Sequence, residues 1–366
     1  MDLQLDSLRR NRHDMARAWK NETGGKVVGL FCCDVPEELI YAAGMLPVRL
    51  MGEKEEASEA DLHFPSNCCP YVKRSFDQGL KRRYDYLDGI VVPNTCDMVR
   101  AMHGTWKMNL ETPYAYFLEV PQRISAQGVE FFREKLLDFK GSLEEWSGRK
   151  IRDGAVEEAV EVYNLNRRLL HRAGRLRQDG LITGVECQNL AISSMVMPKE
   201  EHNRFMEAFL KEAAGRDVRP AGVRLLVSAS MLDDSDLIGV LEECGGSVVA
   251  DDMPAGSRYF FFPVENSSDP VAALAERYLS RIPCPRKMLP LARFDFVRQV
   301  MEGAGVQGAV IHSLKACDCH LYEYPYLKAM IEDLGLPVLF FRGEETSAEQ
   351  ETQRDDIEAF IEMIRG

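Results

Sequence analysis

The chain has 366 residues, 45% hydrophobic and 28% charged, with 45 basic against 58 acidic side chains for a formal charge of −13. That length suffices for two or three domains, each with its own core. An acidic balance without a basic stripe excludes a nucleic-acid groove, no apolar run reaches the ~20 residues of a membrane span, and the charged opening MDLQLDSLRRNRHDMARAWK lacks the apolar heart of a secretory signal, so the expected setting is the cytoplasm.

In chain order, residues 1–24 read as an amphipathic helix closing on Gly24-Gly25. Lys26 to Phe31 is a buried strand running into Cys32-Cys33-Asp34. Pro36-Glu37-Glu38 opens a helix that Gly44 closes, and Leu46 to Leu50 is the next strand. The acidic run Glu53 to Asp61 is a surface loop. Cys68-Cys69-Pro70 then starts a helix with Tyr71, Val72, Phe76 and Leu80 on its inner face, and Lys81-Arg82-Arg83 is a solvated turn.

Gly89 to His103 is the organising stretch. Ile90 to Val92 is a short apolar run, Pro93-Asn94-Thr95 a turn, and Met98, Val99 and Met102 recur at helical spacing, so a helix begins at or just after Cys96. A strand at Thr112 to Leu118 ends this unit. Residues 126–214 are long helices, Val156 to Gln178 the clearest.

A second α/β unit follows: a strand at Val223 to Ser228, a helix from Ser235, a strand at Ser247 to Ala250 and a helix near Val271 to Leu279. Past Ile282 to Arg286 come a helix at Phe294 to Met301, a strand at Gly308 to His312, and the turn carrying Cys317-Asp318-Cys319-His320. A helix from Tyr324, a strand at Pro337 to Phe341 and a closing helix from Thr346 finish the chain. The expected fold is α/β: two doubly wound, Rossmann- or flavodoxin-like parallel-sheet domains at 1–125 and 218–366, joined by a helical layer at 126–217, with a cleft between them.

Ten cysteines exceed what packing needs, and in a reducing compartment they point to metal or redox chemistry rather than disulfides. No CxxC pair occurs, so a cluster must gather thiols from distant segments. Cys32, Cys69, Cys96 and Cys317 share one position, just past a strand or loop and just before a helix. There the helix dipole favours a thiolate, and α/β folds place their ligands at this edge. Three thiolates facing one cleft would hold three irons of a [4Fe-4S] cluster and leave the fourth open. Zinc would accept three cysteines with His103 or His320.

Several stretches carry a resemblance: CCDVPEELIYAAG from Cys32, NCCPYVKRS from Asn67, Thr95-Cys96-Asp97, IPCPR from Ile282, KACDCH from Lys315 with Glu323 and Pro325, and QETQRDDIEAF from Gln350. In this order they resemble the D-component subunits of 2-hydroxyacyl-CoA dehydratases, the family shared with class I benzoyl-CoA reductases. The resemblance implies cluster ligands at Cys69, Cys96 and Cys317 and a lyase acting on an acyl-CoA. One low-potential electron would make a ketyl from the thioester carbonyl, which then expels the hydroxyl. It also implies a related second subunit in a heterodimer, or a second copy, and an ATP-dependent iron–sulfur activator protein. A benzoyl-CoA reductase-type subunit, or an electron-relay or scaffold subunit, is the alternative.

The chain departs from the pattern in places. Cys68 beside Cys69 leaves the ligand open by one residue, and Cys319 is an added thiol. Glu349 replaces a usual glycine, and Phe341-Arg342-Gly343 stands where a glutamate is expected. Glu37, Glu38 and His320 are candidate catalytic groups, and Arg100 would donate to a cluster sulfide or pair with Asp97. Cys32, Cys68, Cys284 and Cys319 are further candidate ligands. A double-cubane [8Fe-9S] cluster would take about six thiolates, from Cys32, Cys69, Cys96, Cys284 and Cys317 with Cys319 or Cys68.

Overall fold

The structure, a computed structural model, describes residues 5, 8, 10–287, 291–344 and 347–366, the side chains of 347, 348, 350 and 351 excepted. The start of the expected first helix and Thr346 of the last one lie outside the described residues.

The first unit runs α1 (Arg12–Thr23), β1 (Val27–Leu30), α2 (Glu37–Ala42), β2 (Leu46–Arg49), α3 (Pro70–Leu80), β3 (Gly89–Pro93), α4 (Asp97–Asn109) and β4 (Tyr114–Leu118). Four long helices follow: α5 (Ala126–Ser147), α6 (Asp153–Gln178), α7 (Gly184–Ser194) and α8 (Lys199–Ala213). The second unit is β5 (Val223–Ala229), α9 (Asp236–Glu243), β6 (Gly246–Asp252), α10 (Ser257–Phe260), α11 (Pro270–Ser280), α12 (Leu291–Ala304), β7 (Gly308–Leu314), α13 (Asp318–Asp333), β8 (Val338–Gly343) and α14 (Ser347–Arg365).

Both expected sheets are present, each parallel and four-stranded, in the orders β2-β1-β3-β4 and β6-β5-β7-β8. They are the same topology twice. In each, the strand order reverses between the first and third strands of the unit, which opens a crevice at their carboxyl ends.

Parallel strands joined by helical crossovers are covered on both faces, hence their near-continuous apolar lettering. Val27, Ile90 and Val92 face a core with α3, α4, α7 and α8, while Val28, Leu30 and Val91 face α2, α5 and α11. In the second sheet, Leu225 and Val227 face α9 and α14, whereas Leu226, Ala309 and Ile311 face α12 and α13. Val264, Leu274 and Leu279 join the first sheet's core, so residues beyond 218 complete the layer around β1.

The carboxyl edges of the two sheets are tied together. Asp233, past the end of β5, accepts from the Gly52 N–H at 3.1 Å, and Lys54 pairs with Asp234 and Asp236 at 2.8 Å each. Burial pushes the Asp233 carboxyl up to about 6, with the Gly52 N–H opposing and the Asp234 charge adding to it, and its Oδ1 has no hydrogen-bond partner. A carboxyl raised in the folded state contributes stability below its unfolded value near ~4, and that contribution is lost as pH rises through about 6. Asp233→Asn is therefore expected to stabilise the chain by roughly 1–3 kcal/mol at pH 8 and to change little at pH 4. Urea denaturation at the two pH values measures this; an equal effect at both would show that Asp233 carries no strained charge.

Candidate metal centre

Each of the three principal cysteines is an N-cap. Cys69 caps α3, Cys96 caps α4 and Cys317 caps α13. The local sequence explains why. Pro70 cannot donate a backbone hydrogen bond and suits the first helical position. Asp97 and Asp318 place a carboxylate in the first turn of α4 and α13, where the dipole favours it. Cys96 follows β3 and Cys317 follows β7, so each lies beside the crevice of its own sheet.

The two carboxyl edges meet, and Cys69, Cys96 and Cys317 lie in or against one core cluster. Cys69 lies in the electrostatic field of Cys317, Cys96 and Cys68, and Cys317 in that of Cys284, Cys96 and Cys319. Burial raises the Cys69 thiol well above its usual value and pushes Cys317, Cys319 and Cys68 each up to about 12. The Val72 and His320 backbone N–H groups act the other way, favouring the thiolates of Cys69 and Cys317. Burial thus disfavours the thiolate at Cys69, Cys317, Cys319 and Cys68, so ligation through any of them must displace a proton.

The backbone is strained where it enters this region. Cys32 and Ala316 are two of three described non-glycine residues in the left-handed region, at φ 59° each. One lies two residues past the end of β1, and the other immediately precedes Cys317. Strain of this kind costs ~1–3 kcal/mol and collects at functional sites.

Cys32, Cys33 and Asp34 form the one group of three Cys, His, Asp or Glu ligand atoms, among the described residues, that all lie within 4.8 Å of one another. Cys69, Cys96 and Cys317 with a histidine do not form such a group, as a single zinc ion would require. Thiolates on separate corners of a cube stand further apart than thiolates sharing one ion. Nothing in the sequence sets Cys33 apart, yet its surroundings favour the thiolate. A hydrogen bond from Cys32, with the Arg281 and Arg49 charges, holds it well below the usual cysteine value despite burial. Arg281 Nη2 donates to Cys33 Sγ at 3.1 Å, and Arg281 and Arg286 reach Asp34 at 3.1 and 2.9 Å. Against burial, those two guanidinium groups hold Asp34 well below the usual carboxylate range. Adjacent cysteines on a turn give no periodic signal of which one matters, so only their partners reveal it.

Glu37 and Glu38 are 3% and 0% exposed and committed to packing. Glu38 takes Arg167 and the Tyr278 hydroxyl (2.8 Å); Glu37 takes the Tyr259 hydroxyl (2.8 Å) and Lys199 (3.5 Å). They tie α2 to α6, α8, α10 and α11. His320 stands in the first turn of α13, its Nε2 3.4 Å from Arg258 Nη1. Burial, then the Arg258 and Arg293 charges, keep it neutral, and Nε2 facing a guanidinium leaves the proton on Nδ1. His103 instead packs on Phe117, ring centroids 5.4 Å apart. Arg100 pairs with Asp97 at 3.1 Å, the two side chains 59% and 82% exposed, so it is a surface ion pair and not a donor to the cysteines. Cys68 lines a cavity of about 590 Å³ with Lys54, Lys73 and Arg74 of the first unit and Lys315 of the second.

The match to the family model for the 2-hydroxyglutaryl-CoA dehydratase D-component spans residues 32–364. The chain belongs to the D-component family. This D-component is 29% identical to the (R)-phenyllactyl-CoA dehydratase beta subunit of Clostridium sporogenes, over 94% of this chain and 93% of the relative. It is 27% identical to a benzoyl-CoA reductase subunit from Thauera aromatica, over 96% and 94%. It is 26% identical to the (R)-2-hydroxyglutaryl-CoA dehydratase beta subunit of Acidaminococcus fermentans, over 93% of each. Among the described residues of the D-component, no helix is long and apolar enough to cross a membrane.

Proposed function

We propose that this chain is the iron–sulfur subunit of a 2-hydroxyacyl-CoA dehydratase-type enzyme, a cytoplasmic lyase. Its [4Fe-4S] cluster would be held by Cys69, Cys96 and Cys317 and charged by an ATP-dependent iron–sulfur activator. The observation that carries the reading is that three helix N-caps, drawn from the two separate units, set their cysteines in or against one core cluster. Such a cluster, when bound, supplies one low-potential electron for reducing an acyl-CoA thioester.

The residues present fit that group. Thr95 Oγ1, Arg49 Nε and Nη1, Arg281 Nε and Arg286 Nε are buried without hydrogen-bond partners around these turns. Unspent donors beside buried thiols suit a sulfide-rich anion, which would otherwise lack stabilisation. His320 keeps a proton at Nδ1 as a donor rather than a relay. Glu37 and Glu38 act by holding α2, and with it the Cys32 turn, in place. Likeness to relatives named as beta subunits supports a related partner subunit.

Benzoyl-CoA reductase-type chemistry is the second reading, supported by the likeness to the Thauera aromatica protein. Anaerobic reconstitution with iron and sulfide analysis tests the shared core of both readings. About four irons per chain are expected; about eight would point to the double cubane, and none would remove the proposal. Turnover screens with 2-hydroxyacyl-CoA and aroyl-CoA substrates, with activator and partner present, then separate dehydration from ring reduction.

A further inference from the structure

The turn between β1 and α2 holds two thiols side by side, and hydrogen bonds alone place their protons. Arg281 Nη2 donates to Cys33 Sγ at 3.1 Å, so that sulfur is an acceptor facing a permanent cation, which favours its thiolate. Cys32 Sγ lies 3.2 Å from Asp34 Oδ2, while Oδ1 of the same carboxylate takes Arg281 and Arg286 at 3.1 and 2.9 Å. An ionised carboxylate only accepts, so the thiol hydrogen is on Cys32. The pair is thus set as a thiol beside a thiolate, with ligand atoms within 4.8 Å of one another.

The fold keeps the two sulfurs in these unlike roles. Arg281 immediately follows α11, and its Nη1 donates to the Arg258 carbonyl at 2.7 Å, which fixes the guanidinium. Arg49 pairs in register with Leu30 at the end of β1, is 3% exposed, and leaves Nε and Nη1 without hydrogen-bond partners, a second buried cation beside this turn. Cys33 is buried and Cys32 half-buried, so a reactant reaching the pair must be small. Neither cysteine caps a helix, since α2 begins only at Glu37.

We propose that Cys32 and Cys33 are a peroxide-reactive dithiol, a modification site apart from Cys69, Cys96 and Cys317. The Cys33 thiolate attacks one oxygen of hydrogen peroxide, the O–O bond breaks, and the hydroxide released takes a proton from solvent to leave as water. The Cys32 sulfur then attacks the Cys33 sulfenic acid, and the sulfenic oxygen leaves with the Cys32 proton as a second water. Two electrons pass from the sulfur pair to the peroxide, and one S–S bond forms. Asp34 Oδ2, which already holds the Cys32 hydrogen, receives it as that sulfur attacks.

Adjacent Cα atoms stand ~3.8 Å apart, short of the ~4.4–6.8 Å usual for a bridged pair, so the bond is strained and small thiols reduce it readily. The modification is therefore reversible. Its product carries no charge at sulfur, so Arg281 loses an anionic partner and keeps Asp34 and the Arg258 carbonyl. One tie between the second unit and the turn after β1 is weakened.

The test treats the full chain, purified anaerobically, with hydrogen peroxide at pH 7, blocks free thiols with iodoacetamide and reads the tryptic peptide 27–49 by mass spectrometry without reduction. Cys32 and Cys33 are the only cysteines in that peptide. It is expected to be unalkylated and two hydrogens lighter, and to become doubly alkylated once dithiothreitol precedes the iodoacetamide. In Cys32→Ser, dimedone is expected to trap a sulfenic acid at Cys33, whereas Cys33→Ser should give no adduct at Cys32. Arg281→Gln should slow disulfide formation roughly tenfold or more. If that variant does not fold, the two cysteine variants decide. A native peptide that is doubly alkylated after peroxide overturns the inference. So does a dimedone adduct on Cys32 with none on Cys33, or an undiminished rate in folded Arg281→Gln. The iron–sulfur reading stands or falls separately, on the iron content of the untreated chain.

Discussion

Cys96→Ser should empty the centre without unfolding the chain. Iron content is expected to fall from about four atoms per chain toward zero, with loss of the reduced-cluster resonance signal. Stability should barely move, because residue 96 is the N-cap of α4 and serine is among the best N-caps. Circular dichroism and urea midpoints of the two apo-proteins should agree to within about 1 kcal/mol. Cys244→Ser, at the end of α9 and outside the converging thiols, should keep its iron. Retention of a full cluster by Cys96→Ser would remove the ligand assignment at the point where the sequence is most explicit.

The second large effect is on stability. Asp252, at the end of β6 and 0% exposed, takes Arg258 through Nε at 2.6 Å and Nη2 at 3.0 Å, takes Arg293, and accepts the Ser228 hydroxyl at 2.8 Å. Arg293 also reaches Glu323 of α13, and Arg258 reaches His320. Removing this one carboxylate leaves two buried guanidinium groups short of charge. Asp252→Asn is expected to cost about 3–5 kcal/mol, read as a lower urea midpoint at unchanged slope.

The pH dependence has the opposite sign to that of Asp233. Burial would raise Asp252, but Arg258 and Arg293 hold it well below the usual range. Its contribution is then complete above the unfolded value near ~4 and is lost only as pH falls through the depressed folded value. The variant's deficit should therefore be constant from pH 6 to 8 and shrink in acid. A deficit under about 1 kcal/mol at pH 7 would mean that the network is not held by this charge.

Much of this molecule is legible in one dimension. The runs that read as strands at Lys26 to Phe31, Ile90 to Val92 and Gly308 to His312 fall on β1, β3 and β7, each buried at every position as a central parallel strand is. The turn after each is short, and the helix start after Cys96 or Cys317 follows from local lettering alone. That is why three cysteines can be named as N-caps from their neighbours in the chain. Arg100 shows the limit: one turn past Cys96 it is equally consistent with a donor or a surface pair, and only exposure separates them.

What the sequence by itself determined is the two-fold α/β plan and the thiols that end at helix starts, because strand burial and capping are set by neighbours a few residues away. Only the tertiary structure decided which charges those thiols keep for company. Arg281 lies 248 positions from Cys33, and Arg286 lies 252 positions from Asp34. No periodicity spans that distance, and Coulomb energy in a dry cleft depends on ångströms between atoms rather than on residues between letters.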